Sequence, residues 1–233
     1  MSAAKRIVHV VTNVSKYENK PEENIPTGLW AGELSHAWDV FAEKGYQQTI
    51  VSPKGGKVPI EPKSLQFPAS DASAKSWTEQ QDKVALLENT KSVTDVDAKD
   101  IDALYLTGGH AVMFDFDDAN LQKLIMDVWK NGGIVSSVCH GYCGLLDVKD
   151  DAGKYLIADK KLTGFSWNEE VMALVSKHVP YNAEERAKER GGKYEKALVP
   201  FVSNVVVDGK LVTGQNPASA KATAEKIVEL LSV

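Results

Sequence analysis

Cysteine is scarce in this chain: Cys139 and Cys143 are the only two among 233 residues. That excludes a disulfide framework, and a C-x-x-x-C spacing is neither a redox CxxC nor a zinc knuckle. Such usage fits a reducing compartment, so the cytoplasm is the expected location. Positive charge is also in deficit, with 27 Lys and Arg against 32 Asp and Glu and a net charge of −5. An acidic protein is repelled by phosphate backbones and anionic lipid, so neither nucleic acid nor a membrane is an expected partner. No apolar run approaches the roughly 20 residues of a transmembrane helix. The opening MSAAKRIVHVV has too short an apolar run for a signal peptide. Repeats and low-complexity tracts are absent. Among the five histidines no pair has metal-ligand spacing, so no metal is expected.

What is present reads as a globular α/β chain. Hydrophobic residues make up 43% and charged residues 25%, enough apolar content for a core without staples. Residues 6–12 (RIVHVVT) predict a strand buried on both faces. Residues 28–44 predict a helix with Trp30, Leu34, Ala37 and Phe41 in one stripe, closed by Gly45. Residues 47–52 give the second strand, and so a right-handed crossover. The stretch 53–77, rich in Pro, Lys, Ser and Gly, predicts a long functional or lid-like excursion. A short helix at 79–89, a buried strand at 103–107 and a helix at 118–130 follow. Strand 133–138 leads into the centre of the chain. Beyond it come a short strand at 161–163, a helix at 167–177 and a charged helix at 182–190 with a solvated face. Strands are then expected at 197–201, 204–207 and 210–213, the last two joined by the hairpin signal Asp208-Gly209. Asn216 caps a final helix with Pro217 at its first position and Ile227, Val228 and Leu231 inward. The whole predicts one domain over 1–233, a doubly wound, mostly parallel sheet with an added β-hairpin.

The chain is organised around residues 132–146, GGIVSSVCHGYCGLL. An apolar run ends abruptly at Cys139-His140-Gly141 and a helix-like segment follows. A thiol on such a turn is pushed out of the sheet to a helix N-terminus, where partial positive charge favours thiolate. An isolated cysteine is more often an inert small hydrophobe, and only the coincidence of turn, glycine and helix start lifts this one above that. Gly108-Gly109, at another strand end, either expose N–H groups to an oxyanion or simply make a tight turn. Glu33 sits at the edge of the first helix's apolar stripe. It either reaches solvent or, if buried, has a raised pKa and can pass a proton. Glu169 and Glu170 open a helix, where acids suit the dipole, although one of them can also orient His140. His9 reads as a core residue, and His36 and His178 lie on predicted helix faces.

The segments TGGHAVMFDF (107–116), SVCHG (137–141), Thr163-Gly164-Phe165 and VTGQNPASA (212–220) resemble the ThiJ/PfpI superfamily. Within it they are similar to the branch of stress-induced chaperones and glutathione-independent glyoxalases of the glyoxalase III type. The resemblance implies a flavodoxin-like sandwich with Cys139 as nucleophile, His140 as its partner and Glu170, six residues after Gly164, as the orienting acid. Glu33 would touch the sulfur. The amides of Gly109 and His140 would form an oxyanion hole, with Gly108 and His110 in the same substrate-binding turn. It also implies a homodimer, and a reaction that needs no cofactor. Cys139 would add to the aldehyde of methylglyoxal, a proton would move from C1 to C2 through Glu33 or His140, and water would release lactate. Two residues depart from the branch: Ala111 and Tyr142 stand where glycine and proline are usual, and Tyr142 is expected near the pocket mouth, narrowing it or donating a hydrogen bond. Competing readings are a holdase for unfolded protein clients, a cysteine hydrolase using the same triad, and a redox sensor.

Overall fold

Short apolar runs too hydrophobic for a surface strand become the centre of one sheet. The computed structural model describes residues 4–232, so the first three residues and the last of the expected 1–233 span lie outside it. In chain order the regular elements are β1 (Arg6–Val10), α1 (Ala31–Glu43), β2 (Gln47–Ser52), α2 (Ala72–Glu79), α3 (Gln81–Glu88), β3 (Lys91–Ser92), β4 (Ala103–Leu106), α4 (Ala119–Lys130) and β5 (Ile134–Val138). They continue with β6 (Lys161–Leu162), α5 (Trp167–Met172), α6 (Ala183–Glu189), β7 (Lys193–Tyr194), β8 (Val205–Asp208), β9 (Leu211–Gly214) and α7 (Ala220–Leu231).

Seven strands form a sheet in the order β3-β2-β1-β4-β5-β9-β8. Every pairing is parallel except β8 with β9, the predicted hairpin, which turns through Gly209 at φ 59°. Leaving out the two edge strands β3 and β8, the order is that of a flavodoxin-like sheet, reversing direction between β1 and β4. Alternate side chains feed two cores. Val8, Leu104, Leu106 and Val135 meet Leu121, Ile125 and Val128 of α4 on one face. Ile7, Ala103, Tyr105 and Ile134 meet Ala37 and Phe41 of α1 and Ala224 and Ile227 of α7 on the other. Among the described residues no helix is long and apolar enough to cross a membrane.

Several expectations are corrected. Residues 197–201 form no strand: Pro200 has no N–H for a ladder, Leu198 lies fully in solvent, and Phe201 takes φ 62°. The helix expected at 167–177 stops at Met172, because Leu174 adopts φ 60°. His178 therefore lies in a turn, not on a helix. The excursion at 53–77 is partly ordered into a 3₁₀ turn, Pro62–Leu65, and into α2, whose Asp71 cap accepts from Ala74 N at 2.9 Å. The short strand at 161–162 leaves the main sheet to pair with β7. Finally, a 3₁₀ helix, Cys139–Leu145, follows the elbow in place of an α-helix.

Candidate active site

The site lies beyond the carboxyl ends of β4 and β5, beside the point where the strand order reverses. Strand β5 delivers Cys139 in a left-handed conformation, φ 54°, which is costly for a side-chain-bearing residue and marks a constrained elbow. The turn closes because Gly141 presses on β4: a Cβ there would stand 2.2 Å from Leu106 O. The next loop is as tight. Gly109, at φ 104°, could carry no Cβ without meeting Gly28 O at 2.1 Å. A Cβ on Gly108 would stand 2.6 Å from Glu33 Oε2. The glycine pair is thus required by close approach, whatever else it does.

The side chains form a relay. Cys139 Sγ lies 3.3 Å from His140 Nδ1, and His140 Nε2 lies 2.5 Å from Glu170 Oε1. The second oxygen of Glu170 lies 3.1 Å from Nε2 of His110, and the two imidazole rings are 4.3 Å apart between centroids. An ionised carboxylate only accepts, so both Nε2–H groups donate to Glu170 and the Nδ1 atoms are left as acceptors. Burial pushes the Glu170 carboxyl up, but its two histidine partners outweigh that and hold it well below the usual range. His110 is pushed down by burial and by His140 beside it.

Behind the sulfur, Glu33 of α1 is fully buried. Its Oε2 accepts from Gly108 N at 2.7 Å, while Oε1 has no conventional partner and the thiol is its neighbour. Burial lifts this carboxyl to about 8, against the pull of Cys139 and Gly108, so at neutral pH it carries a proton. The thiol is pushed well up by burial and by the charge and hydrogen bond of Glu33, and only the His140 amide works the other way. This corrects the expectation of an exposed, ionised sulfur. Cys139 rests as a thiol, 3% exposed, at the start of a 3₁₀ helix where an α-helix was expected.

The sulfur is not sealed in. It opens, with Gly109, His110 and His140, on a 160 Å³ cavity walled by Tyr17, Trp30, Phe165 and Phe201. Glu61 and Lys63 also reach this cavity, from the excursion after β2. A wider groove of 630 Å³ at the opposite end of the sheet holds the ion pairs Lys5–Asp102 and Arg6–Asp100 but no nucleophile. The smaller cavity therefore has the chemistry.

Other predicted residues are placed differently. Tyr142 is fully buried, packed on Gly164, with its hydroxyl donating to Phe165 O at 3.3 Å. It is absent from the cavity wall, as is Ala111, which is buried in a 3₁₀ turn. Glu169 serves as a clamp: it accepts from Ser166, from Phe201 N at 2.8 Å and from Asn216 Nδ2 at 2.9 Å. His9 is a core residue, bonded to Gln48 at 2.8 Å. Tyr17, Glu61, Lys63 and Phe201 were not foreseen, and only the Glu61-Pro62 helix-start signal hinted at order there.

The sequence shows no metal-ligand spacing, yet the fold gathers ligand atoms of His110, His140 and Glu170 within 4.8 Å of one another. Donors around a tetrahedral zinc stand about 3.3 Å apart. The 2.5 and 3.1 Å contacts are closer than that and lie along hydrogen bonds.

Comparison with known proteins points one way. The DJ-1/PfpI family model matches residues 27–230. The glutathione-independent glyoxalase hsp3102 of Schizosaccharomyces pombe is 34% identical, over 88% of this chain and 89% of its own. Among solved structures, the Rapid Encystment Protein 24 kDa of Francisella tularensis superposes with a TM-score of 0.91 at 35% identity, covering 97% of this chain and 99% of that one. The glyoxalase III of Candida albicans superposes with a TM-score of 0.86 at 28% identity, covering 97% of each chain.

Proposed function

The chain belongs to the DJ-1/PfpI family, and from that premise we propose that it is a glutathione-independent glyoxalase, turning methylglyoxal and related 2-oxoaldehydes into 2-hydroxy acids. The observation that carries this reading is a buried thiol, coupled to an imidazole and an ionised carboxylate, that opens on a cavity of only 160 Å³. That space suits a small carbonyl compound and is too small for a folded partner. His140 Nδ1 takes the thiol proton, and Glu170 stabilises the imidazolium that results. The thiolate adds to the aldehyde carbon, giving a hemithioacetal. The developing alkoxide meets the amides of Gly109, on the cavity wall, and of His140. Moving a proton from C1 to C2 converts the adduct to a thioester, and water releases the 2-hydroxy acid. The chemistry is an internal exchange of oxidation level, so no cofactor takes part.

The test is lactate formation from methylglyoxal without glutathione. Wild type should turn over and Cys139→Ala should lose at least about 10³-fold. A wild type inert towards methylglyoxal and phenylglyoxal, yet active on small amides, would hand the same triad to a hydrolase. A second reading rests on a separate observation: Met172, Leu174, Leu198 and Val199 hold apolar side chains in solvent next to residues of the cavity rim. Such a surface suits a second copy of the chain, or unfolded clients in a cytoplasmic stress role. Light scattering tests the dimer. Aggregation suppression that survives Cys139→Ala tests the client.

A further inference from the structure

We infer that His110 is a second catalytic base, taking the proton from C1 of the Cys139 adduct and returning it at C2. This rests on the glyoxalase reading and assigns its central step. Two protons must be handled together during that step, one on carbon and one on oxygen, and two groups are needed to hold them. Glu33 is poorly placed for the carbon. It is fully buried behind the sulfur, does not line the cavity, and has Oε2 tied to Gly108 N at 2.7 Å. His140 has its Nδ1 against the sulfur at 3.3 Å, so it first carries the thiol proton to the new hydroxyl.

His110 meets the remaining requirements. It lines the cavity, its ring centroid lies 4.3 Å from that of His140, and its Nε2 bonds the free oxygen of Glu170 at 3.1 Å. That bond leaves Nδ1 with a lone pair. The ring is held between Tyr17, 5.8 Å away, and Phe165, 6.1 Å away, so it has little freedom to turn. Burial and its neighbour keep it neutral, which is the form a base needs. One carboxylate thus serves two imidazoles with separate duties.

The step balances. His110 takes the C1 hydrogen as a proton, and the bonding pair becomes the C1=C2 bond of an enediolate, with the charge on the C2 oxygen. The C1 hydroxyl proton passes to that oxygen through His140, and His110 returns its proton to C2. C1 rises from the aldehyde to the acid oxidation level, C2 falls from ketone to alcohol, and no external oxidant is required.

The experiment compares wild type, His110→Asn, His110→Gln and Glu61→Gln on methylglyoxal deuterated at C1, with the product read by NMR. Wild type should show a primary isotope effect. Both His110 variants should keep the Cys139 alkylation rate and KM within about threefold but lose about 10²- to 10⁴-fold in kcat. A folded His110 variant with wild-type kcat and isotope effect overturns the assignment. So does loss of the carbon step in Glu61→Gln alone, since Glu61 also faces the cavity. A wild type that makes no 2-hydroxy acid at all overturns the glyoxalase reading beneath it, a result separate from either.

Discussion

Two carboxylates flank the sulfur, and they end in opposite states. Glu33, behind it on α1, and Glu170, in front of it on α5, are both buried. Burial alone pushes each carboxyl up. Glu170 accepts from two imidazole N–H groups, those of His140 and His110, and stays ionised. Glu33 has one backbone amide and a thiol, too little to offset desolvation, and stays protonated to about pH 8. The partners of a buried acid, more than its depth, decide its charge. The chemistry divides along the same line. An ionised front acid stabilises an imidazolium, while a neutral rear acid can hydrogen-bond a thiolate without repelling it.

Breaking the front side should cost most. Glu170→Gln keeps the shape but removes the charge, so His140 loses both its fixed tautomer and its counter-ion. We expect kcat to fall about 10³-fold with KM little changed, measured as lactate formed from methylglyoxal. A fall of less than tenfold would mean that the two histidines work without the carboxylate. The rear side should be more tolerant. Glu33→Gln is a neutral isostere of the protonated acid and should keep kcat within about 10²-fold at pH 7, whereas Glu33→Ala, which leaves a cavity and no donor, should lose more.

The pH dependence sharpens the contrast. Ionising Glu33 beside the sulfur opposes the thiolate, so wild-type activity should decline as pH rises through about 8, and Glu33→Gln should lack that limb. Stability follows the same group. Its pKa is raised on folding from 4.5 to about 8, so over that window the folded chain holds a proton that the unfolded chain has released. Stability from this group is therefore complete below about pH 4.5, declines as pH rises, and is fully lost above about 8. The loss is at most about 5 kcal/mol, and less if water enters. In paired denaturation curves, Glu33→Gln should gain on wild type from about pH 5 to about 8 and hold that gain above it. A constant difference would show that Glu33 is ionised throughout.

The front of the site was easier to read in sequence than the rear or the walls. Cys139, His140 and Gly141 adjoin in the chain, and Glu170 sits in a helix whose start is signalled by the Ser166–Glu169 capping box. Without the family resemblance, which put it against the sulfur, Glu33 was legible only as an acid at the edge of an apolar stripe, because its burial depends on Gly108 arriving from β4. Tyr17, Glu61 and Lys63 come from loops whose course no periodicity records, and they meet the cavity only once the sheet is assembled. The parallel strands and the hairpin were visible because local pattern and turn chemistry specify them. The apolar stretch at 197–201 misled for the complementary reason: its side chains are hydrophobic but face solvent, next to Pro200 and held by Glu169 from another element.

Tyr142 sets the lower limit of the comparison, since it follows the elbow by three residues yet belongs to neither side. Gly164 leaves it room, for a Cβ there would stand 2.1 Å from its Cδ1, and the ring lies 5.9 Å from that of Tyr194. Its hydroxyl donates to Phe165 O at 3.3 Å. Tyr142→Phe keeps the packing and deletes that bond, leaving a carbonyl with one partner fewer, which should lower stability by about 1 kcal/mol. Because the ring is absent from the cavity wall, kcat and KM should both stay within about twofold of wild type. If KM for methylglyoxal moved by tenfold instead, the hydroxyl would have to reach substrate, and the side chain would belong at the mouth after all.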